Sequence, residues 1–121
     1  MQNDFYTLND WQRTEGKLSC RLAFAPAHRI FAGHFPGNPI VPGVCTMAIV
    51  KKILEEALQQ KLVLKESKGV KFLGLIDPTM SPTMSLSWNE EAGRFNATAS
   101  LQDGAAALFK MSGSYVPASH R

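Results

Sequence analysis

The sequence predicts an α+β fold in which a curved antiparallel sheet wraps around one long central helix. Three observations carry that prediction. One stretch of helical periodicity runs from Val44 to about Gln60, segments of apolar–polar alternation lie on both sides of it, and turn-forming dipeptides punctuate the later segments at hairpin spacing. With 121 residues there is material for one core and not for two, so residues 1–121 are read as a single domain.

Along the chain, Leu18, Cys20, Leu22 and Phe24 alternate with Ser19, Arg21 and Ala23, the pattern of a half-buried strand. Glu15 and Gly16 supply the turn before it, and Tyr6 to Arg13 is read as its hairpin partner, with a short helix as the alternative. From Ala25 to Gly43, four prolines and three glycines leave little room for regular structure. Proline fixes its own φ and restrains the residue before it, so Phe35, Asn38 and Val41 are biased toward extended backbone. A loop stiffened in this way more often serves a site than a connection.

The helix has apolar residues at 44, 47, 48, 50, 53, 54, 57 and 58, with Lys51, Lys52, Glu55, Glu56, Gln59 and Gln60 between them. Its first two turns are apolar nearly all round, which predicts that this end is wrapped by other elements while the far end reaches water. Lys65 to Lys68 reads as a charged linker. Val70, Phe72, Gly74 and Ile76, opposed by Lys71, Leu73 and Leu75, then read as a strand, followed by strands over Met84–Trp88, Phe95–Leu101 and Ala106–Val116. Glu91 to Gly93 and Asp103-Gly104 are the turns between the last three. In so small a domain the unpaired sheet edges are expected to be covered by a second copy.

Composition narrows the function. A hydrophobic fraction of 45% with 19% charged residues suits a folded globular domain and not a disordered one. The net charge of +3, from scattered lysines and arginines, favours an acidic partner weakly. Nucleic acid is not expected, because no basic run interleaved with aromatics marks a phosphate-tracking groove. Cys20 and Cys45 form no CxxC pair, no leader pattern opens the chain, and the apolar run Val44–Val50 is too short to cross a bilayer. The expectation is a cytoplasmic protein without a membrane span.

The stretch Gly33 to Val44 reads GHFPGNPIVPGV. With His34, Phe35, Pro36 and Gly37, then Pro39, Pro42 and Gly43 directly before a helix that precedes the later strands, it resembles the hot-dog-fold 3-hydroxyacyl-acyl-carrier-protein dehydratases of fatty-acid synthesis. That resemblance implies a hot-dog fold and a hydro-lyase. His34 takes the place of the general base that removes the proton beside the thioester carbonyl, a role suited to imidazole because its ordinary pKa leaves a neutral acceptor at cytosolic pH. Gly43 matches the glycine whose N–H faces the thioester oxygen at the positive end of the helix. Phe35, Pro36, Gly37, Pro42, Val44 and Ala48 are the implied substrate contacts. The resemblance further implies an acyl-carrier-protein partner, a substrate carried on phosphopantetheine or coenzyme A, no other cofactor, no metal, and a homodimer or an assembly of dimers. The competing reading of His34 is a core histidine satisfied by a backbone carbonyl; His28 and His120 have no motif around them.

One feature departs from the family. The dehydratases place Glu or Asp fourteen positions after the histidine, where this chain has Ala48, and often carry glutamine where it has Lys52. Glu55 and Glu56 lie about 10 Å further along the helix and read as surface charges paired with Lys51 and Lys52. Asp77, Glu66, Asp4 and Thr46 are the other candidates for the missing group. Cys45, in the first helical turn, reads as a small buried filler in preference to a nucleophile. Three functions stay open: a dehydratase whose acid lies elsewhere, a non-catalytic binding subunit that relies on an active hetero-partner, and a thioesterase. The last ranks third because the helix offers no carboxylate to activate water.

Overall fold

The structure, a computed structural model, describes residues 5–25 and 41–118. Among these residues the chain forms strands β1 (Tyr6–Thr14) and β2 (Lys17–Phe24), helix α1 (Gly43–Leu58), and strands β3 (Leu62–Phe72), β4 (Thr83–Glu91), β5 (Arg94–Asp103) and β6 (Ala106–Pro117). All pairings are antiparallel, in the order β1-β2-β4-β5-β6-β3. The chain therefore leaves β2 near one edge, crosses the sheet as α1, and returns as β3 at the opposite edge. This is the hot-dog arrangement, with one helix packed against a six-stranded antiparallel sheet.

Alternation decides which side chains meet the helix. Leu18, Cys20, Leu22 and Phe24 of β2, Met84 and Leu86 of β4, and Phe95, Ala97, Ala99 and Leu101 of β5 are buried on one face. From α1 they receive Ile49, Val50, Ile53, Leu54 and Ala57. Burial raises the thiol pKa of Cys20 to about 11, as expected for a side chain acting as a small hydrophobe in this layer.

The turns follow local chemistry. Between β4 and β5 a two-residue loop, Ala92 and Gly93, holds both residues at positive φ (53° and 80°), the geometry whose twist matches paired strands. The helix ends where Gln59 turns left-handed at φ 55°, so that its N–H and that of Gln60 both reach the Glu55 carbonyl.

Two sequence expectations need correction. Lys65 to Lys68 is not a linker but the middle of β3, whose register against β6 slips between Leu64 and Glu66 and again between Ser67 and Gly69. Each slip sets extra residues of β3 against β6, which breaks the period of two that sequence reading relies on. The strand expected to run through Gly74 and Ile76 instead stops at Phe72. Beyond it, the N–H groups of Leu73 and Gly74 both donate to the Leu108 carbonyl, at 2.9 and 3.2 Å, and the chain leaves the ladder.

Because Ile53 is fully buried where α1 meets the sheet, Ile53→Ala should lower unfolding free energy by about 2–5 kcal/mol. Urea unfolding should show this as a lower midpoint with unchanged slope; a loss below about 1 kcal/mol would mean that α1 is not the centre of the core.

Candidate functional site

The start of α1 is the best-defined part of the site. Pro42 stands at the N-cap with extended backbone (φ −63°, ψ 146°), and its carbonyl accepts from Cys45 and Thr46 at 3.0 and 3.3 Å. No side chain caps the helix, and the N–H groups of Gly43 and Val44 have no acceptor among the described residues. These two donors, at the positive end of the dipole, are suited to an oxygen that gains negative charge.

Two contacts hold this helix end in place. The Val41 N–H donates to the Ile76 carbonyl at 2.7 Å, tying the approach to α1 to the chain beyond β3. The second contact explains Gly43. A Cβ built there would lie 2.6 Å from the Phe72 ring, so the ring rests directly on the glycine while its other edge meets Phe109, with centroids 5.5 Å apart. Phe72 nevertheless remains 57% exposed. Sequence reading missed Phe72, taking it for one more alternating strand residue; the available signal was a glycine at a first helical position, which permits close approach of another group.

The opposite side of the helix is bare. Val44 is 75% exposed, and Ala48 and Lys52, one and two turns on, are exposed as well. The expectation that the first turns would be wrapped by other elements therefore holds only for the core-facing side, and no described element covers the Val44–Ala48–Lys52 stripe. The position where the dehydratases carry their acid faces outward from the core.

The other acid candidates fall in different places. The Thr46 side chain belongs to the buried face, about 200° around the helix from Ala48, and its hydroxyl has no hydrogen-bond partner among the described residues. Glu66 pairs with Arg94 at 3.7 Å and lies six residues up β3 from Phe72, about 20 Å away. Asp77 follows Ile76 and so stands near the helix start, but its Oδ1 accepts from the Thr79 hydroxyl and N–H, both at 2.6 Å. These bonds, the hydroxyl first, hold its carboxyl below the usual range, so near neutral pH it is ionised and a poor proton donor. Glu55 has a structural task, since its Oε2 accepts the Leu62 N–H at 2.8 Å where β3 begins, and Glu56 is approached by Gln59. Neither forms the expected ion pair with Lys51 or Lys52, the Arg94–Glu66 contact being the one found among the described residues. Burial raises the Cys45 thiol pKa, which favours the filler reading over a nucleophile.

His34, Phe35, Pro36 and Gly37 lie outside the described residues, as do Asp4, His28 and His120. Of the site expected from sequence, the structure thus describes Pro42, Gly43, Val44 and Ala48. Among the described residues no group of histidine, cysteine and acidic side chains is arranged to hold a metal, and no helix is long and apolar enough to cross a membrane.

Comparison with known proteins places these features in context. Residues 10–110 match the family model described as ApeI-like, ApeI dehydratase. A curated 3-hydroxyacyl-[acyl-carrier-protein] dehydratase, FabZ of Acetivibrio thermocellus, is 51% identical over 39 residues, which span 32% of this chain and 25% of that protein. Among solved structures, the dehydratase heterocomplex ApeI:P of Xenorhabdus doucetiae superposes with a TM-score of 0.77 at 18% identity, covering 92% of this chain and 97% of that one. An uncharacterised protein of Erwinia carotovora subsp. atroseptica follows at 0.67 and 23%, covering 97% and 98%. At these identities the structures speak for the fold.

The Phe72–Gly43 contact can be tested directly. Gly43→Ala should cost no more than about 1 kcal/mol, because the half-exposed ring can swing aside. In a Phe72→Ala background the cost should vanish or change sign, leaving only alanine's better helix propensity. Equal effects in both backgrounds, by denaturant titration, would show that ring and glycine are not coupled.

Proposed function

This chain belongs to the ApeI-like dehydratase family, and from that premise we propose that it dehydrates 3-hydroxyacyl thioesters carried on acyl-carrier protein, in fatty-acid or related lipid or polyketide synthesis. The observation that carries this reading is the open start of α1. At the end of the GHFPGNPIVPG segment and directly after it, the N–H groups of Gly43 and Val44 have no acceptor among the described residues. In the proposed reaction the thioester oxygen sits against these donors, which stabilise the charge it gains as the α-proton leaves. His34 takes that proton, the α-carbon electron pair forms the double bond, and the β C–O bond breaks. The departing hydroxyl needs a proton to leave as water. Ala48 cannot supply one, Asp77 is held ionised, and Glu66 is remote and paired.

The bare Val44–Ala48–Lys52 stripe suggests where that proton comes from: a second subunit seated across it. Exposed Leu73 and Leu75, with Phe72, extend the uncovered apolar surface beyond the end of β3, and Val63 is exposed separately at the strand's other end. The outer edge of β3 has no partner strand among the described residues. In this reading β3 pairs with a second hot-dog subunit, either a copy or an active hetero-partner, and that subunit faces Ala48. The second reading, a binding subunit with no turnover of its own, is favoured by the same alanine. Thioester hydrolysis ranks below both, because the described part of the helix brings no carboxylate to the site.

Three experiments test the proposal. The chain should sediment as a dimer at micromolar concentration, alone or with its hetero-partner; a monomer under both conditions would remove the shared site. His34→Ala should abolish hydration or dehydration of an acyl thioester without moving the melting temperature by several degrees. Ala48→Glu should raise dehydration by roughly 10²- to 10⁴-fold if the acid is what the chain lacks. Ala48 is exposed, so the larger side chain has room in a lone subunit, and a melting curve checks that the variant is folded. A folded but inactive Ala48→Glu protein, beside an inactive wild type, would leave the binding-subunit reading.

A further inference from the structure

On the outer face of the sheet, away from α1, Lys71 of β3 stands directly opposite Lys110 of β6. Like charges at opposed positions repel, so such a pair is unfavourable unless an anion lies between or above them. Lys68, at the second slip of β3, joins them around a hollow of about 420 Å³. Its floor is built from hydroxyl side chains. Ser100 is the residue opposite Lys110 on the other side, and Thr98 and Ser112 face each other with their oxygens 3.4 Å apart. All three lysines are exposed, and none has a carboxylate partner among the described residues. Glu66, the acid on the same strand, is engaged by Arg94.

We propose that Lys68, Lys71 and Lys110, with the hydroxyls of Thr98, Ser100 and Ser112, form a binding site for a phosphate group of the kind that thioester carriers bear. Three ammonium groups supply the charge, and three hydroxyls supply donors that neither repel one another nor compete as anions. Lys71 immediately precedes Phe72, whose ring rests on Gly43, so the hollow lies on the reverse of the strand end that borders the helix start. That the phosphate belongs to a thioester carrier rests on the acyl-thioester reading above; that the hollow takes phosphate does not.

The test is binding without turnover. Coenzyme A, 3′-dephospho-coenzyme A and inorganic phosphate are titrated into the full chain, wild type and K71Q/K110Q, while backbone amide resonances are followed. Coenzyme A should shift the amides of Lys71, Thr98, Lys110 and Ser112, bind more weakly as salt is raised, and lose at least about tenfold in affinity in the variant. The exposed Lys→Gln pair should leave the fold intact, with a melting temperature no lower than wild type, since a repulsion has been removed. Absence of shifts at Lys71, Thr98, Lys110 and Ser112, or equal affinity in a folded variant, would overturn the site. Inorganic phosphate binding there as tightly as both coenzymes would keep the anion site and reject the carrier as its source. His34→Ala should leave the coenzyme A shifts at Lys71, Thr98, Lys110 and Ser112 unchanged, so failure of the dehydratase reading and failure of this one are separately visible.

Discussion

The structure depends on one stripe of α1, Thr46, Ile49, Val50, Ile53, Leu54 and Ala57, being buried against the apolar face of the sheet. Burying that stripe removes several large side chains from water at once and fixes both the rotation and the depth of the helix. Both ends are then held by named contacts. The Glu55 carboxylate receives the first N–H of β3, while the Val41–Ile76 bond and the Phe72 ring secure the beginning. Once rotation is set, the stripe through Val44, Ala48 and Lys52 has nowhere to face but outward. The exposure of the site is therefore a consequence of how the core is packed.

This geometry separates two requirements of the proposed dehydration. Stabilising a developing oxyanion needs backbone donors with no competing acceptor, and among the described residues the N–H groups of Gly43 and Val44 meet that requirement. Protonating a leaving hydroxyl needs a group that is protonated at working pH, and the nearby carboxylate, Asp77, is biased the other way by its bonds to Thr79. Since its folded pKa is depressed, the stabilisation from those bonds is present above the unfolded carboxyl pKa and lost as pH falls through the folded one. Asp77 thus behaves as a loop-ordering residue. Its ionised state also places a negative charge near the helix start, which would oppose an oxyanion if the two came close.

The outer face of the sheet follows a different logic from the inner one. Inside, apolar side chains of unequal size interlock with the helix; outside, short hydroxyl residues alternate with them along β4, β5 and β6. Short side chains leave a shallow surface over which the longer lysines of β3 and β6 stand. No property of a single strand would mark Lys71 and Lys110 as neighbours, because 38 residues of chain lie between them and a doubly slipped register brings them together.

The alternation of Leu18 to Phe24, the periodicity of 44–58 and the dipeptide turns were sufficient to predict the architecture, because side-chain direction in strands and helices is a local property of the backbone. Those features determined a helix on an antiparallel sheet and marked Gly43 at the helix start. Only the tertiary structure decided the rest: that β3 is an edge strand running through Lys65–Lys68, that Phe72 rests on Gly43, that Ala48 faces away from the core, and that Glu55 and Asp77 are engaged in structural bonds. Each of these depends on which segments meet across the fold, and a meeting between residues distant in sequence leaves no periodic trace in either one.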